Sequence, residues 1–207
     1  MKSLILLTFI VSCLFTQARS QDFEGTILYE VSYLNLTEDM KKMLPEKNPE
    51  SLFSIKGNKT KMEMDMMGTK MIIISDIETN TSTSYTNIMG QKIKSSATME
   101  EVDEIEVQLV DGETKRIAGY LCKKAIIKQP SSPDVEVYYS EELQSNAFLS
   151  SNSQFKKLKG IPLEYQLHQQ GMTMVSSAKE VSKKTLDNSV FDPPAGEYKE
   201  APAMPKY

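Results

Sequence analysis

From Phe23 onward the chain repeats with a period of two. Phe23, Ile27, Tyr29, Val31 and Tyr33 fall on one parity, and Glu24, Thr26, Glu30 and Ser32 on the other. Strand side chains point alternately to the two faces of a sheet, so this pattern describes a half-buried strand with one apolar face. The signature returns along most of the chain. Residues 52–56, the turn pair Gly57-Asn58 and residues 60–66 read as a hairpin. Residues 70–75, 81–88 and 91–95 follow, with turns at Gly68 and Gly90; Ile105, Val107 and Leu109 then alternate with acids and Gln108 up to a turn at Asp111-Gly112. Residues 117–128, 135–139, 163–169 and 172–179 complete about ten strands. Connections this short suit antiparallel neighbours. Helix signals are few: residues 37–44, capped by Thr37 and stopped by Pro45, and residues 140–149, opening on Ser140-Glu141-Glu142. The expectation is a mainly β protein, a curved antiparallel sheet or open barrel with one or two short helices.

Residues 1–20 differ in kind. Lys2 makes a basic start, residues 4–15 form an apolar run, and Ala18 and Ser20 stand at −3 and −1 of a cut before Gln21. These are the parts of a secretory signal, and the run falls short of the roughly 20 residues a spanning helix needs. A competing reading takes Ile10-Val11-Ser12-Cys13 as a lipoprotein box, which would leave the apolar pair Leu14-Phe15 behind a lipidated Cys13. Asn35, Asn58 and Asn80 open glycosylation tripeptides, relevant only in a eukaryotic source. No later apolar stretch is long enough to span a bilayer. The expected organisation is a signal over 1–20, one β-rich domain over 21–192 and an extended proline-rich tail over 193–207. The expected location is exported, periplasmic or secreted, with peripheral membrane contact the most that is implied.

Residues 21–207 carry 22 basic and 28 acidic side chains, a net charge of −6. Such a balance offers no electrostatic hold on phosphates, so no nucleic-acid partner is expected. One cysteine in that stretch, Cys122, cannot make an internal disulfide, and one histidine, His168, cannot build a His-rich metal centre. No Gly-x-Ser-x-Gly elbow or glycine-rich phosphate loop occurs. His168 reads as a solvent-facing strand residue and Cys122 as a small packing residue. Glu100, Glu101, Asp103 and Glu104 read as a solvated strand entry that discourages edge pairing. Lys156, Lys157 and Lys159 beside Phe155 read as a solvated loop, with anionic headgroups as the alternative contact. No cofactor and no enzyme activity are expected.

The second half carries further wording. Lys115-Arg116-Ile117-Ala118-Gly119-Tyr120-Leu121-Cys122-Lys123-Lys124-Ala125 resembles the IxGYxCKKA strand of a family of secreted bacterial proteins of unknown function, relatives of the GLPGLI proteins. Val137-Tyr138-Tyr139-Ser140-Glu141-Glu142-Leu143 is similar to the segment that follows there. Gly160-Ile161-Pro162-Leu163-Glu164 resembles the family's G-[IL]-P-L-E strand entry, departing from Gly-Leu-Pro-Gly-Leu-Ile after Pro162. Residues 186–196 resemble its closing strand. The resemblance implies a fold like the lipoprotein carrier LolA: an unclosed antiparallel half-barrel around an apolar groove, with small helices as a lid.

Within that frame the strongest anomaly is Met62, Met64, Met66, Met67 and Met71, five methionines in ten residues. Three readings stand open: plain core, the adaptable lining of an apolar groove, or a thioether site for copper(I). Residues i and i+2 lie about 6.6–7 Å apart along a strand, so a shared ion needs a second strand. The groove reading selects Met62, Met64, Met66, Ile105, Val107, Leu163, Tyr165 and Leu167 as ligand-facing, with the Met40–Leu44 stripe as cover. It implies an exported, non-enzymatic protein that binds a lipid or other apolar small molecule. The rival class is a structural or interaction protein whose barrel is filled solid.

Overall fold

The computed structural model describes residues 22–36, 47–66, 69–99, 104–130, 132–169 and 172–201. The signal expected over 1–20, the helix expected over 37–44 with its Met40–Leu44 stripe, and Glu100, Glu101 and Asp103 lie outside that set. The described residues form strands β1 (Gly25–Leu34), β2 (Glu50–Lys56), β3 (Lys59–Met66), β4 (Thr69–Asp76), β5 (Thr81–Ile88), β6 (Gln91–Thr98), β7 (Glu106–Ile117), β8 (Tyr120–Gln129), β9 (Ser132–Ser140), β10 (Ile161–Gln169), β11 (Met172–Lys183) and β12 (Lys199–Glu200), with an α-helix, α1 (Asn146–Ser151), and short 3-10 turns at Ser153–Phe155 and Asn188–Phe191. All the strands join one 12-stranded open sheet, ordered β12-β6-β5-β4-β3-β2-β1-β11-β10-β9-β8-β7. The pairings are antiparallel except β12 on β6. Two meanders, β1–β6 and β7–β11, therefore meet along the β1–β11 seam. The fold is the expected curved, unclosed antiparallel sheet.

One face of the sheet is covered by the stretch between β9 and β10. Leu143, Ala147, Phe148, Phe155 and Leu158 are buried there, together with Ile27, Tyr29, Phe53, Ile55, Val137 and Leu163 of the strands. Phe148 tilts against Phe53 with centroids 5.1 Å apart, Phe53 meets Tyr29 edge-on at 5.5 Å, and Phe155 meets Tyr165 edge-on at 4.9 Å. Ring pairs at such spacing add to the area term that drives burial. The helix starts later than the expected Ser140. Ser140 is held in β9 opposite Ile161, and the cap is Ser145, whose Oγ accepts the Phe148 amide at 3.2 Å.

Two backbone features seat this plug. A Cβ on Gly160 would overlap the Ser140 carbonyl oxygen, so only glycine allows the chain to return this close to β9. Two residues on, Pro162 sits at a register shift in β10, where a missing amide costs no ladder bond. Its carbonyl accepts the Tyr29 hydroxyl at 2.6 Å across a separation of 133 residues. Burial holds that phenol protonated, its pKa well above the ordinary tyrosine value.

Two turn expectations are corrected. Asp111-Gly112 is an irregularity within β7, where the register slips between Leu109 and Thr114, and the real hairpin turn is Ala118-Gly119, both at positive φ (47° and 89°). Lys115 of β7 reaches both carboxylate oxygens of Glu164 on β10 at 2.7 Å, and Cys122 and Ile117 join the core.

The proline-rich segment is extended and, through residue 201, docked on the outer face. Leu186 and Phe191 are buried outside the main core, as is Ile72, whose register with Glu63 and Tyr85 places it on that outer face. The Leu186 carbonyl accepts Lys56 Nζ at 2.5 Å, Tyr198 meets Tyr85 edge-on at 5.1 Å, and the Ala201 amide donates to the Lys94 carbonyl at 2.7 Å.

Truncating Phe148 to alanine should cost about 3–5 kcal/mol through the cavity it opens. Tyr29→Phe, which removes the buried bond to the Pro162 carbonyl, should cost about 1–2 kcal/mol. Urea unfolding followed by circular dichroism measures both, and a Phe148→Ala loss below that of Tyr29→Phe would contradict the plug as the main source of cohesion.

Candidate functional site

The plug covers only part of the inner face. Helix α1 lies against β2, β3 and β4 where Ser151 Oγ meets Thr60 Oγ1 at 3.1 Å. Inner positions at that end of the strands are buried: Ile55, Thr60 and Ser75. Toward the opposite end, where β1 ends and β2 begins, the inner positions become half-buried: Val31 and Tyr33 on β1, Met64 on β3, Met71 on β4, Leu167 on β10 and Met174 on β11. Register sets them in rows. Tyr29, Ser51, Met64, Met71, Thr86 and Ile93 run across β1 to β6, and Tyr33, Met174 and Leu167 run across β1, β11 and β10. The result is an apolar inner wall, rich in methionine and open to solvent at one end of the half-barrel. At the same end the β5–β6 hairpin tip exposes Met89 completely and Ile88 by 45%.

Seven of the eight residues selected from the sequence fall into three environments. Leu163 and Ile105 are buried in the plugged core, at 0% and 3% exposure. Met62, Val107 and Tyr165 pack against that core while staying half-buried. Met64 and Leu167 line the open end, and Met66 stands in β3 opposite Thr69. Val31, Tyr33, Met71, Ile73 and Met174 share the open wall and were outside the selected set. Alternation at Met172 and Met174 marks that strand face in the sequence, whereas the Tyr33–Met174 pairing depends on the β1–β11 seam, which no local pattern encodes.

Other chemistry-bearing groups are spread apart. Cys122 is buried, and burial pushes its thiol pKa up to about 11. His168 is exposed, its Nδ1 3.0 Å from Thr173 Oγ1. Lys123 aligns with Tyr139 and thus with Pro162, six residues before His168, so the thiol and the imidazole stand about 20 Å apart along the strands. They cannot share a proton. Lys157 Nζ donates to the Ile105 carbonyl at 2.6 Å, tying the plug to the entry of β7. No group of three or more His, Cys, Asp or Glu side chains able to hold a metal occurs among the described residues. An open pocket of about 670 Å³ lies between the start of β6 and the docked tail, where Lys92 stands 5.6 Å from the centre of the Tyr198 ring. No helix among the described residues is long and apolar enough to cross a membrane.

The chain belongs to the DUF4412 family, a domain of unknown function, whose model matches residues 23–197. No curated protein matches it. Among solved structures it is similar to PNGF-II in two crystal forms, at TM-scores of 0.52 and 0.53 and 19% identity, over 86% and 87% of this chain. The match spans about a third of PNGF-II, 32% and 31% of that chain. It is also similar to an uncharacterized conserved protein from Thermus thermophilus, at a TM-score of 0.50 and 9% identity, covering 86% of this chain and 90% of that one. At these identities the likeness concerns the fold alone.

The buried thiol generates a test on residues 21–207. Cys122 should resist a thiol reagent at pH 8 in the folded protein and react rapidly in denaturant. The folded-state pKa lies above the unfolded value of about 8.5, so this group's contribution to stability is complete below that value and is lost as the pH rises toward 11. Fast labelling of the native protein at pH 8 would contradict the burial.

Proposed function

We propose that this protein is an exported, non-enzymatic binding protein that holds a lipid acyl chain or a similar apolar ligand against the open inner wall of a LolA-like half-barrel. The observation that carries the reading is the change in burial along the inner face, from the plugged end at Thr60 and Ser75 to the half-buried Met64, Met71, Leu167 and Met174. Methionine suits such a wall, because its three rotors and polarizable sulfur adapt to ligands of varied shape. Transfer of an acyl chain from water supplies about 0.8 kcal/mol per methylene. Ten methylenes give about 8 kcal/mol, before the cost of immobilising the chain reduces the net. The signal-like residues 1–20 and the resemblance to secreted proteins support export.

A second reading rests on the plug. Phe148, Phe155 and Leu158 fill much of the inner face, as a scaffold that displays its outer face to partners would require.

Native mass spectrometry of the protein purified gently from its host's envelope separates the two. Acyl-chain adducts are the expected result. Met64→Lys and Leu167→Glu should lower ligand retention by about tenfold or more, equivalent to about 1.4 kcal/mol, a larger loss than the shift of the urea midpoint shows. A bare mass that persists after incubation with host lipid extract would favour the scaffold.

A further inference from the structure

The β3–β4 register supplies the second strand that a thioether site needs. Met64 stands directly opposite Met71, and Met62, two residues before Met64 on the same face, is diagonal to Met71. Directly opposed Cβ atoms lie about 4.5–5.5 Å apart and diagonal neighbours about 7–8 Å. Each sulfur sits two flexible bonds beyond its Cβ. Three sulfurs bound at about 2.3 Å to one ion in a plane are about 4 Å from each other, a separation these three side chains can close without moving the backbone. All three are half-buried: Met64 and Met71 line the open end of the wall, and Met62 packs against the adjoining core. Ile73, opposite Met62, adds an apolar neighbour, while Glu63 and Asp65 alternate to the outer face.

We propose that Met62, Met64 and Met71 form a binding site for a soft monovalent cation, copper(I) or its redox-inert analogue silver(I). Neutral thioethers favour Cu(I) over Zn(II) and Cu(II), which take imidazole, thiolate or carboxylate ligands. The inference is independent of the acyl-chain reading, although both use the same wall.

Anaerobic titration with Cu(I) against a chromophoric Cu(I) chelator tests it, on residues 21–207. One equivalent should be withdrawn from the chelator, with an affinity flat between about pH 5 and 8, because thioethers carry no proton to release, unlike histidine or thiol ligands. Copper K-edge absorption should report sulfur scatterers only. The Met64→Leu/Met71→Leu double variant, close in volume and apolarity, should weaken binding by about tenfold or more, whereas Cys122→Ala and the exposed Met89→Leu should not. Leu167→Glu, on β10 and away from the three methionines, should keep its copper affinity while losing acyl-chain adducts, so loss of metal and loss of lipid report on different claims. Failure to withdraw copper, equal affinity in the double variant, nitrogen or oxygen scatterers, or an affinity that falls at low pH would each overturn the proposal.

Discussion

An open antiparallel sheet twelve strands wide must bury one face, and among the described residues the cover comes from the stretch between β9 and β10. That stretch succeeds through a few aromatic rings and a tight return of the chain. Phe148 and Phe155 reach Phe53 and Tyr165, and Gly160 lets the backbone pass against Ser140. The Tyr29 hydroxyl then closes on the Pro162 carbonyl. The strands alone present an amphipathic surface without a partner. With the plug seated, their inner residues at one end become a close-packed core, and those at the other end become a wall.

The outer face is solved differently. A few apolar side chains, Ile72, Leu186 and Phe191, are buried there beneath the chain that follows β11. Elsewhere that face is laced with ion pairs. Lys179 meets Glu30 and Glu50 across neighbouring strands at 3.1 and 3.2 Å, and Lys94 meets Glu200 at 2.7 Å beside the parallel strand β12. Exposed pairs of this kind add little cohesion each. They do set a polarity that keeps the two faces distinct, so the methionine-rich surface opens on one side only.

Most of the strands were legible because alternation is a local signal. The β2–β3 and β5–β6 hairpins, with Gly57-Asn58 and Met89-Gly90 at their turns, follow it closely. The parity of Met62, Met64 and Met66 likewise follows from the strand period. What local pattern could not carry is long-range placement. Asp111-Gly112 has turn chemistry, yet the pairing of β7 with β8 on both sides of it makes it a kink within one strand. Ser140-Glu141-Glu142 has helix-start chemistry, yet the ladder to Ile161 claims Ser140 first. Leu163 and Ile105 share the apolar signature of the wall residues, and only the plug's position assigns them to the core. Met174 and Tyr33 face each other because chain segments about 140 residues apart form the central seam.

That seam also governs how the molecule is made. Glu30 and Lys179, side by side in the finished sheet, are 149 residues apart in the chain. The first meander can pair β1 to β6 as soon as it exists, but β1 keeps a bare edge until β11 arrives, and the plug has no complete wall to close on before then. Sheets assembled through such distant pairings fold slowly, since the loop must close before the contacts that reward it can form. In the interval the apolar face and the β1 edge are both available to other chains. The architecture thus leaves β1 with an open edge until β11 has been made, and the arrival of that one strand is the step that joins the two meanders.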